Sequence, residues 1–176
     1  MQAIDHTPRI LIVEPNKSAQ AVFARRLTDA GYRVIVTDSA SAAVAELYRV
    51  PVALVIAELR MDPMSGVELV RLVRDDTALK NTPVILITGR SDATGAVEGF
   101  GAGADDVVAK PFHFEVLIAR VVRRLARARA VRELITDNAT LDARVVERAI
   151  QLGELREELA ASETERRRLA AIVTRP

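Results

Sequence analysis

Four polar residues stand where apolar runs of the chain end. Glu14 follows the run RILIV, Glu58 follows VALVIA, Thr88 closes VILIT and Lys110 follows DVVA. These are two acids, a hydroxyl and an amine, which together could form a polar ligand site. In open α/β folds, ligands bind beyond the carboxyl ends of neighbouring parallel strands. A structural alternative is simpler, because Glu14 and Glu58 could pair with Lys110 as ions only to stabilise the fold.

The elements that would position these side chains are five short strands that alternate with helices. The predicted strands are Arg9–Glu14, Arg33–Thr37, Val52–Ala57, Val84–Thr88 and Asp106–Ala109. The predicted helices are Lys17–Ala30, a segment capped by Ser39 or Ser41 that ends at Arg49, a segment containing Val67–Val73, residues 92–103, and one that starts near His113. This alternation predicts an α/β fold, with a parallel sheet, helices on both faces and right-handed crossovers.

Two of the predicted helices carry more specific expectations. In the first, helical spacing predicts that Val22, Phe23, Leu27 and Ala30 face the core, and Gly31 ends the helix. In the fourth, residues 92–103 include several glycines. Each interior glycine costs a helix roughly 1 kcal/mol, so we expect this helix to be weak or mobile.

Composition excludes several kinds of site. Hydrophobic residues make up 49% of the 176 residues but aromatic residues only 3%, so the core must consist of aliphatic side chains. The absence of cysteine excludes disulfides, thiolate metal sites and cysteine nucleophiles. A net charge of +1 makes no case for nucleic-acid or membrane binding. No run approaches the ~20 apolar residues that span a bilayer, so we expect a cytoplasmic protein.

The segments around the four polar residues resemble the receiver domain of two-component response regulators. They read ILIVEPN, LVIAELRMDPMSG, PVILITG and GADDVVAKPF, in the family's order and spacing, and the resemblance covers about residues 8–130. It implies a flavodoxin-like, doubly wound sheet of five parallel strands in the order 2-1-3-4-5. It also implies a chemistry, in which a phosphoryl group passes from a kinase histidine to an aspartate after the third strand, with Mg²⁺.

By position, part of the family's site is intact. Lys110 corresponds to the lysine and Thr88 to the hydroxyl that contact the phosphoryl oxygens in the family. Pro111 corresponds to the proline after that lysine, which is usually preceded by a cis peptide bond.

Three other positions depart from the family's pattern. The acceptor position holds Glu58 instead of aspartate, and the acidic pair that would hold Mg²⁺ reads Glu14 and Pro15. The position of the aromatic switch residue holds Val107, so a movement of Thr88 would lack its usual readout. All three departures concern one mechanism.

These departures predict a receiver that has lost efficient phosphorylation. Glutamate is one methylene longer than aspartate, and misplacing a reacting group by roughly 1 Å can cost ~100-fold in rate. Pro15 offers no side-chain oxygen, so Mg²⁺ binding is weakened and we expect no cofactor. Glu58 could instead reach toward Lys110 and Thr88 with a permanent charge of about −1, against about −1.5 to −2 for a phosphoryl group.

Three functional interpretations remain open at this point, and in one of them the α/β domain is only a structural platform and the function resides in the coiled coil. The other two concern the polar site. The first is a pseudo-receiver, a regulatory module without enzymatic activity whose conformation does not depend on phosphorylation. The second is a competent receiver that accepts a phosphoryl group on Glu58 or a neighbouring acid such as Asp62 and hydrolyses it.

Beyond Phe112 the sequence predicts a long helix that forms a coiled coil. The segment up to Arg175 contains no proline and one glycine, Gly153. A 4-3 spacing, largely apolar, selects Leu141, Val145, Arg148, Leu152, Leu155, Leu159, Ser162, Arg166, Leu169 and Val173. We expect a homodimer, with a parallel pair favoured; a helical hairpin or packing onto the α/β domain is the alternative. The helix could break at Thr136–Thr140.

Basic and histidine side chains give no further site. A stretch of arginines is predicted to form a solvated helix face with ion pairs between subunits, in preference to a nucleic-acid site: Arg120, Arg123, Arg124, Arg127, Arg129 and Arg132. His6 and His113 lack the spacing of metal ligands, so we assign no metal to them.

The predicted organisation is a tail at residues 1–8, a receiver-like α/β domain at 9–130 and a coiled-coil extension at 131–176. The predicted function is a divergent regulatory module of a two-component phosphorelay. Its expected partners are a second copy and a histidine kinase or downstream output protein, with neither nucleic acid nor membrane. Whether the chain is a stand-alone adaptor or the regulatory part of a longer kinase or output protein is left open.

Overall fold

The computed structural model describes residues 7–90 and 92–173, with side chains described to residue 168. Its strands are β1 (Arg9–Val13), β2 (Arg33–Thr37), β3 (Leu54–Glu58), β4 (Val84–Thr88) and β5 (Asp106–Ala109). Its helices are α1 (Lys17–Asp29), α2 (Ala40–Arg49), α3 (Gly66–Asp75), α4 (Ala93–Gly101) and α5 (Phe114–Val173). The strands form one parallel sheet in the order β2-β1-β3-β4-β5, which confirms the predicted fold.

Successive residues of the inner strands enter two separate cores. In β1, Leu11 and Val13 belong to the core formed with α2 and α3, whereas Ile10 and Ile12 belong to the core formed with α1 and α5. Side chains alternate across a strand, so a sheet covered on both faces requires apolar residues at every position. This is why β1, β3 and β4 consist mainly of Val, Ile and Leu. All five strands were predicted to within two residues.

The register of the sheet brings the strand ends to one edge. Val13 pairs with Ala57, and Thr88 pairs with Ala109. Beyond the strands, the Lys110 N–H donates to the Thr88 carbonyl at 2.8 Å. Glu58 and Thr88 end β3 and β4, and Glu14 and Lys110 follow β1 and β5. The four predicted polar residues therefore lie at the carboxyl ends of neighbouring strands.

The inward face of α1 is narrower than predicted. Phe23 and Leu27 are buried, but Val22 is 48% exposed and Ala30 is also exposed. Val22 lies roughly 100° around the helix from Phe23, outside its stripe. Ala30 is the C-cap residue, beyond the last helical residue. The prediction that these two residues face the core is wrong.

The glycine-rich helix α4 is shorter than the predicted 92–103. Asp92 is its N-cap, and its side chain accepts from the Gly95 N–H at 2.8 Å. A Cβ on Gly99 would lie 2.9 Å from the Leu86 side chain, so this glycine permits α4 to lie close to β4. The expected weakness of the helix stays a prediction.

Helix α5 is continuous through the segment where a break was considered. The hydroxyls of Thr136 and Thr140 donate to carbonyls one turn earlier, so they are satisfied inside the helix. The hairpin alternative therefore finds no second helix among residues 114–173. The side chains of Leu169 and Val173 lie outside the described part, as do residues 1–6 with His6.

The chain divides into two compact units between Arg129 and Ala130; the predicted tail, receiver-like domain and coiled-coil extension stay predictions. Within the residues that the structure describes, no helix combines the length and apolarity needed to cross a membrane.

Asp106 on β5 anchors the first part of α5. Its carboxylate lies 2.8 Å from Arg120 Nη1 and 3.2 Å from Arg124 Nη2, and its side chain is 8% exposed. The expectation that the arginine stretch is a solvated face is therefore wrong for Arg124, whose side chain is 19% exposed, whereas Arg120 is exposed and pairs with Asp106 at the surface. The alternation of side chains across β5 explains this, since Asp106 points to the same face as the buried Val108.

We predict that Asp106→Asn lowers the free energy of unfolding by about 2–3 kcal/mol, because it leaves two partly buried guanidinium groups without their counter-ion. Asp75→Asn is the matched control, since Asp75 is exposed; we expect it to change stability by less than about 0.5 kcal/mol. Urea denaturation measures both. Equal effects of the two variants would contradict the anchoring role.

Candidate functional site

The site at the sheet edge is a cluster of three charges. Lys110 Nζ lies 2.5 Å from Glu58 Oε2 and 3.2 Å from Glu14 Oε2. The two carboxylate side chains are 14% and 7% exposed, whereas that of Lys110 is 39% exposed. One ammonium group thus bridges two largely buried carboxylates, as the structural ion-pair alternative predicted.

The second oxygen of Glu14 is also engaged. Its Oε1 accepts from the Asn16 N–H at 3.0 Å, and the Asn16 side chain in turn caps α1 by accepting from the Ala19 N–H. Pro15 lies between them and is exposed. Both oxygens of Glu14 are therefore bonded, Oε1 to the loop after β1 and Oε2 to Lys110 after β5.

Burial and charge act in opposite directions on the two partners of the short ion pair. Burial raises the pKa of the Glu58 carboxyl above its ordinary value; Lys110 opposes this rise and Glu14 adds to it. Burial also disfavours the charged form of Lys110, but the hydrogen bonds and negative charges of Glu58 and Glu14 outweigh it and raise the pKa of the amine. The pair carries both of its charges between these two pKa values.

Thr88 does not join this cluster. It is 2% exposed, and its hydroxyl donates to Asp92 Oδ2 at 3.2 Å. The single hydroxyl proton is thereby used, so the expectation that Glu58 reaches toward both Lys110 and Thr88 holds for Lys110 alone. Thr88 and Leu86 are two residues apart on β4, so their side chains lie on the same face of the sheet. That face belongs to the α2/α3 core.

Asp92 and Arg60 were missed by sequence reasoning. Arg60, in the loop after Glu58, lies 3.1 Å from Asp92 Oδ2 and 3.4 Å from Glu98 on α4. Asp92 itself could have been found as a helix N-cap, because aspartate is favoured there. Its ion pair with Arg60 could not be predicted from the local sequence, because the two residues are 32 positions apart.

The remaining predicted positions lie around the cluster. The Lys110–Pro111 peptide bond is cis, as the resemblance implied. Val107 is half-buried against the α2/α3 core, and its side chain has no polar group.

Gly66, the first residue of α3, lies next to the backbone of Glu58. A Cβ on Gly66 would be 2.5 Å from the Glu58 carbonyl oxygen, so only glycine lets the start of α3 lie this close.

The side chains at this site are poorly suited to bind Mg²⁺. Mg²⁺ requires several oxygen ligands in near-octahedral geometry. The candidate carboxylates Glu14 and Glu58 are both bonded to Lys110, and Pro15 supplies no side-chain oxygen. No group of three or more histidine, cysteine, aspartate or glutamate side chains is placed to hold a metal within the described residues.

Comparison with known proteins agrees with the resemblance seen in the sequence. The family model described as the response regulator receiver domain matches residues 10–122. The transcriptional regulatory protein YrkP of Bacillus subtilis is 35% identical over 119 residues, covering 68% of this chain and 50% of that protein. The cell cycle transcriptional regulator CtrA of Caulobacter vibrioides is 31% identical over 145 residues, covering 79% and 61% respectively. The chain thus spans about half to three fifths of the length of these relatives.

Solved structures give the same result. FixJ-N is 36% identical with a TM-score of 0.63, covering 72% of this chain and 96% of that one. The receiver domain of the TMAO respiratory system response regulator TorR is 33% identical with a TM-score of 0.63, covering 69% and 98%.

Proposed function

Since the chain belongs to the response regulator receiver domain family, we propose that it is a pseudo-receiver, a regulatory module of two-component signalling that works without phosphorylation and without enzymatic activity. The observation that supports this most directly is the bridge from Lys110 to Glu58 at 2.5 Å and to Glu14 at 3.2 Å.

The bridge engages groups that the family's chemistry uses. Lys110, which the resemblance assigns to an incoming phosphoryl group, is already bonded to two carboxylates. Thr88, the second predicted contact, donates to Asp92. Phosphoryl transfer depends on positioned groups and on a metal ion, so losses of both kinds compound.

The Glu58 carboxylate also supplies a permanent negative charge at the acceptor position. Its charge of about −1 is smaller than the −1.5 to −2 of a phosphoryl group, so the resemblance to a phosphorylated site is partial. In this proposal, Glu58 and Lys110 fix one state of the site, and Mg²⁺ has no role.

The partners are part of the same proposal. The helical extension presents apolar side chains that are more than half exposed, including Leu141 and Leu155, and a second copy of the chain is the proposed occupant. A histidine kinase or an output protein is the proposed signalling partner. A cytoplasmic location is proposed because the relatives named above are transcriptional regulators.

Intact-mass measurement after incubation with acetyl phosphate and Mg²⁺ tests the proposal. We expect the chain to keep its mass, because the acceptor carboxylate is paired and the metal site is incomplete. Its positive control is the Glu58→Asp, Pro15→Asp double variant, which we expect to gain one phosphoryl group. A phosphoryl gain by the unchanged chain, on Glu58 or on Asp62, would show a competent receiver and overturn the proposal.

A further inference from the structure

The helical extension carries an apolar seam that is open to solvent and runs beyond Leu141 in both directions. Leu141 and Leu155 are 54% and 62% exposed. The 4-3 spacing continues upstream through Asn138 and Leu134, and the helix is unbroken there. The orientation inferred from this seam rests on the proposed homodimer and specifies how its two copies pair.

In the heptad notation of coiled coils, Asn138 takes position a and Leu141 position d. The a positions are Val131, Asn138, Val145, Leu152, Leu159 and Arg166. The d positions are Leu134, Leu141, Arg148, Leu155 and Ser162. The seam is therefore apolar with charged and polar interruptions, and the placement of those interruptions distinguishes the possible pairings.

A parallel, in-register pair would bring like charges together. Arg148 would meet the partner's Arg148 inside the seam. Beside the seam, where position g of one helix faces position e of the next heptad on the other, Asp137 would face the partner's Asp142 and Glu158 the partner's Glu163. By symmetry, each flanking contact occurs twice, so the parallel pair is opposed by charge along much of its length.

An antiparallel pair centred close to Ile150 removes the repulsion within the seam. Leu141 then packs on the partner's Leu159, and Arg148 lies against the partner's Leu152 in place of another arginine. An arginine stem can cover an apolar neighbour while its charged head stays in water.

The flanking charges become complementary in the same register. In antiparallel pairs, position e faces e and position g faces g, which joins Asp142 to the partner's Arg156 and Arg144 to the partner's Glu158. No ion pair or hydrogen bond of these four side chains occurs within the part of the chain that the structure describes. They are exposed charges, and in this register a second copy would supply a partner of opposite sign to each of them.

Neighbouring registers are less favourable. A shift of one heptad in one direction brings Asp137 to the partner's Glu158, and a shift in the other direction brings Asp142 to the partner's Glu163. Either shift also breaks the Asp142 pair with arginine. The chosen register keeps one repulsive contact, between Asp137 and the partner's Glu165.

We propose that two copies of this chain associate through an antiparallel coiled coil of the extension, in which Leu141 opposes the partner's Leu159 and the Asp142–Arg156 and Arg144–Glu158 pairs fix the register. Each exposed ion pair contributes little free energy alone. The flanking contacts attract in the antiparallel pair and repel in the parallel pair, so the free-energy difference between the two orientations is larger than one ion pair provides.

Thiol cross-linking tests the orientation cleanly, because the chain has no cysteine. We expect full-length Leu141→Cys and Leu159→Cys chains to remain uncross-linked when each is treated alone with a short bis-maleimide. Their equimolar mixture should give cross-linked mixed dimers. Within one antiparallel pair, the two 141 positions are separated by 18 residues of helix, which is about 27 Å.

The outcomes separate this inference from the proposed dimer. Cross-linking of Leu141→Cys with itself, in a chain that light scattering shows to be dimeric, would overturn the antiparallel orientation and leave the dimer standing. A dimer that cross-links in neither sample would overturn the register. A chain that stays monomeric would overturn the dimer and the inference together.

A charge exchange gives an independent measurement. We expect Arg144→Glu to raise the Kd of the dimer at least about 10-fold, since it places two glutamates together at both symmetric contacts. Adding Glu158→Arg to the same chain should restore the affinity. Arg168→Glu, on the outer face of the helix, is the control and should leave the Kd unchanged. An unchanged Kd for Arg144→Glu would contradict the antiparallel pair, because in the parallel pair Arg144 faces the partner's Ala149.

Discussion

The Glu58→Asp, Pro15→Asp double variant is expected to gain a phosphoryl group from acetyl phosphate and Mg²⁺ at least about 100-fold faster than the unchanged chain. Shortening the residue at 58 by one methylene withdraws its carboxylate from Lys110, to which Glu58 is now bonded at 2.5 Å. An acid in place of the exposed Pro15 adds the oxygen ligand that Mg²⁺ lacks. The rate of mass gain, followed over time, gives the comparison.

The two single variants separate these contributions. We expect each to react more slowly than the double variant, because a positioned nucleophile and a bound metal ion support the same step. Omission of Mg²⁺ should abolish the gain in the double variant. If Glu58→Asp alone reached the rate of the double variant, Pro15 would not be a cause of the lost chemistry.

Lys110→Met is expected to lower the free energy of unfolding at neutral pH by about 2 kcal/mol, because it leaves two mostly buried carboxylates next to each other without a counter-ion. The value is below that for a fully buried pair, since the Lys110 side chain is 39% exposed and water screens the interaction. Lys80→Met is the matched control, because Lys80 is exposed, and it should change stability by less than about 0.5 kcal/mol.

The effect of Lys110→Met should depend on pH with a defined sign. Without the amine, the pKa of Glu58 rises further, so the folded variant binds a proton more tightly than the unfolded chain and becomes less stable as pH rises past the ordinary glutamate value of 4.5. In the unchanged chain, the raised pKa of Lys110 gives a stabilisation that is complete below 10.5 and is lost as pH rises through the folded pKa. The difference between the two proteins should be largest near neutral pH and smaller at both extremes. A difference that stays constant from acid to alkaline pH would show that the lost stability comes from packing and not from charge.

The sheet could be predicted almost completely because its physical signal is local. Runs such as VILI are apolar at every position and end at proline, glycine or a polar residue, which sets the type of element and most of its boundaries. The inward face of α1 was predicted less well, since Val22 is apolar but lies beside the buried stripe. Apolar character shows that a residue can be buried, and the neighbouring elements decide whether it is.

The candidate site could also be predicted only in part. Glu14, Glu58 and Lys110 could be placed together, because each lies at the carboxyl end of a parallel strand and such strand ends meet at one edge. The bond from Thr88 to Asp92 could not be foreseen, since several acceptors near a strand end can compete for one hydroxyl. The pairs of Asp106 with the α5 arginines were missed for a related reason: a charged residue within a short strand looks exposed until the helix above it is placed.

Through the bridge formed by Lys110, the molecule itself supplies the cation that faces the two carboxylates of the site. A site that exchanges phosphoryl groups and Mg²⁺ with the cell reports how much of each is supplied. In the proposed pseudo-receiver, the cation of the site is its own lysine, so the site would report neither and its state would be a constant of the folded chain. In the proposed dimer, the quantity that can still vary is the amount of protein, and the paired fraction follows it by mass action. Synthesis and degradation of the chain would then set the strength of its signal.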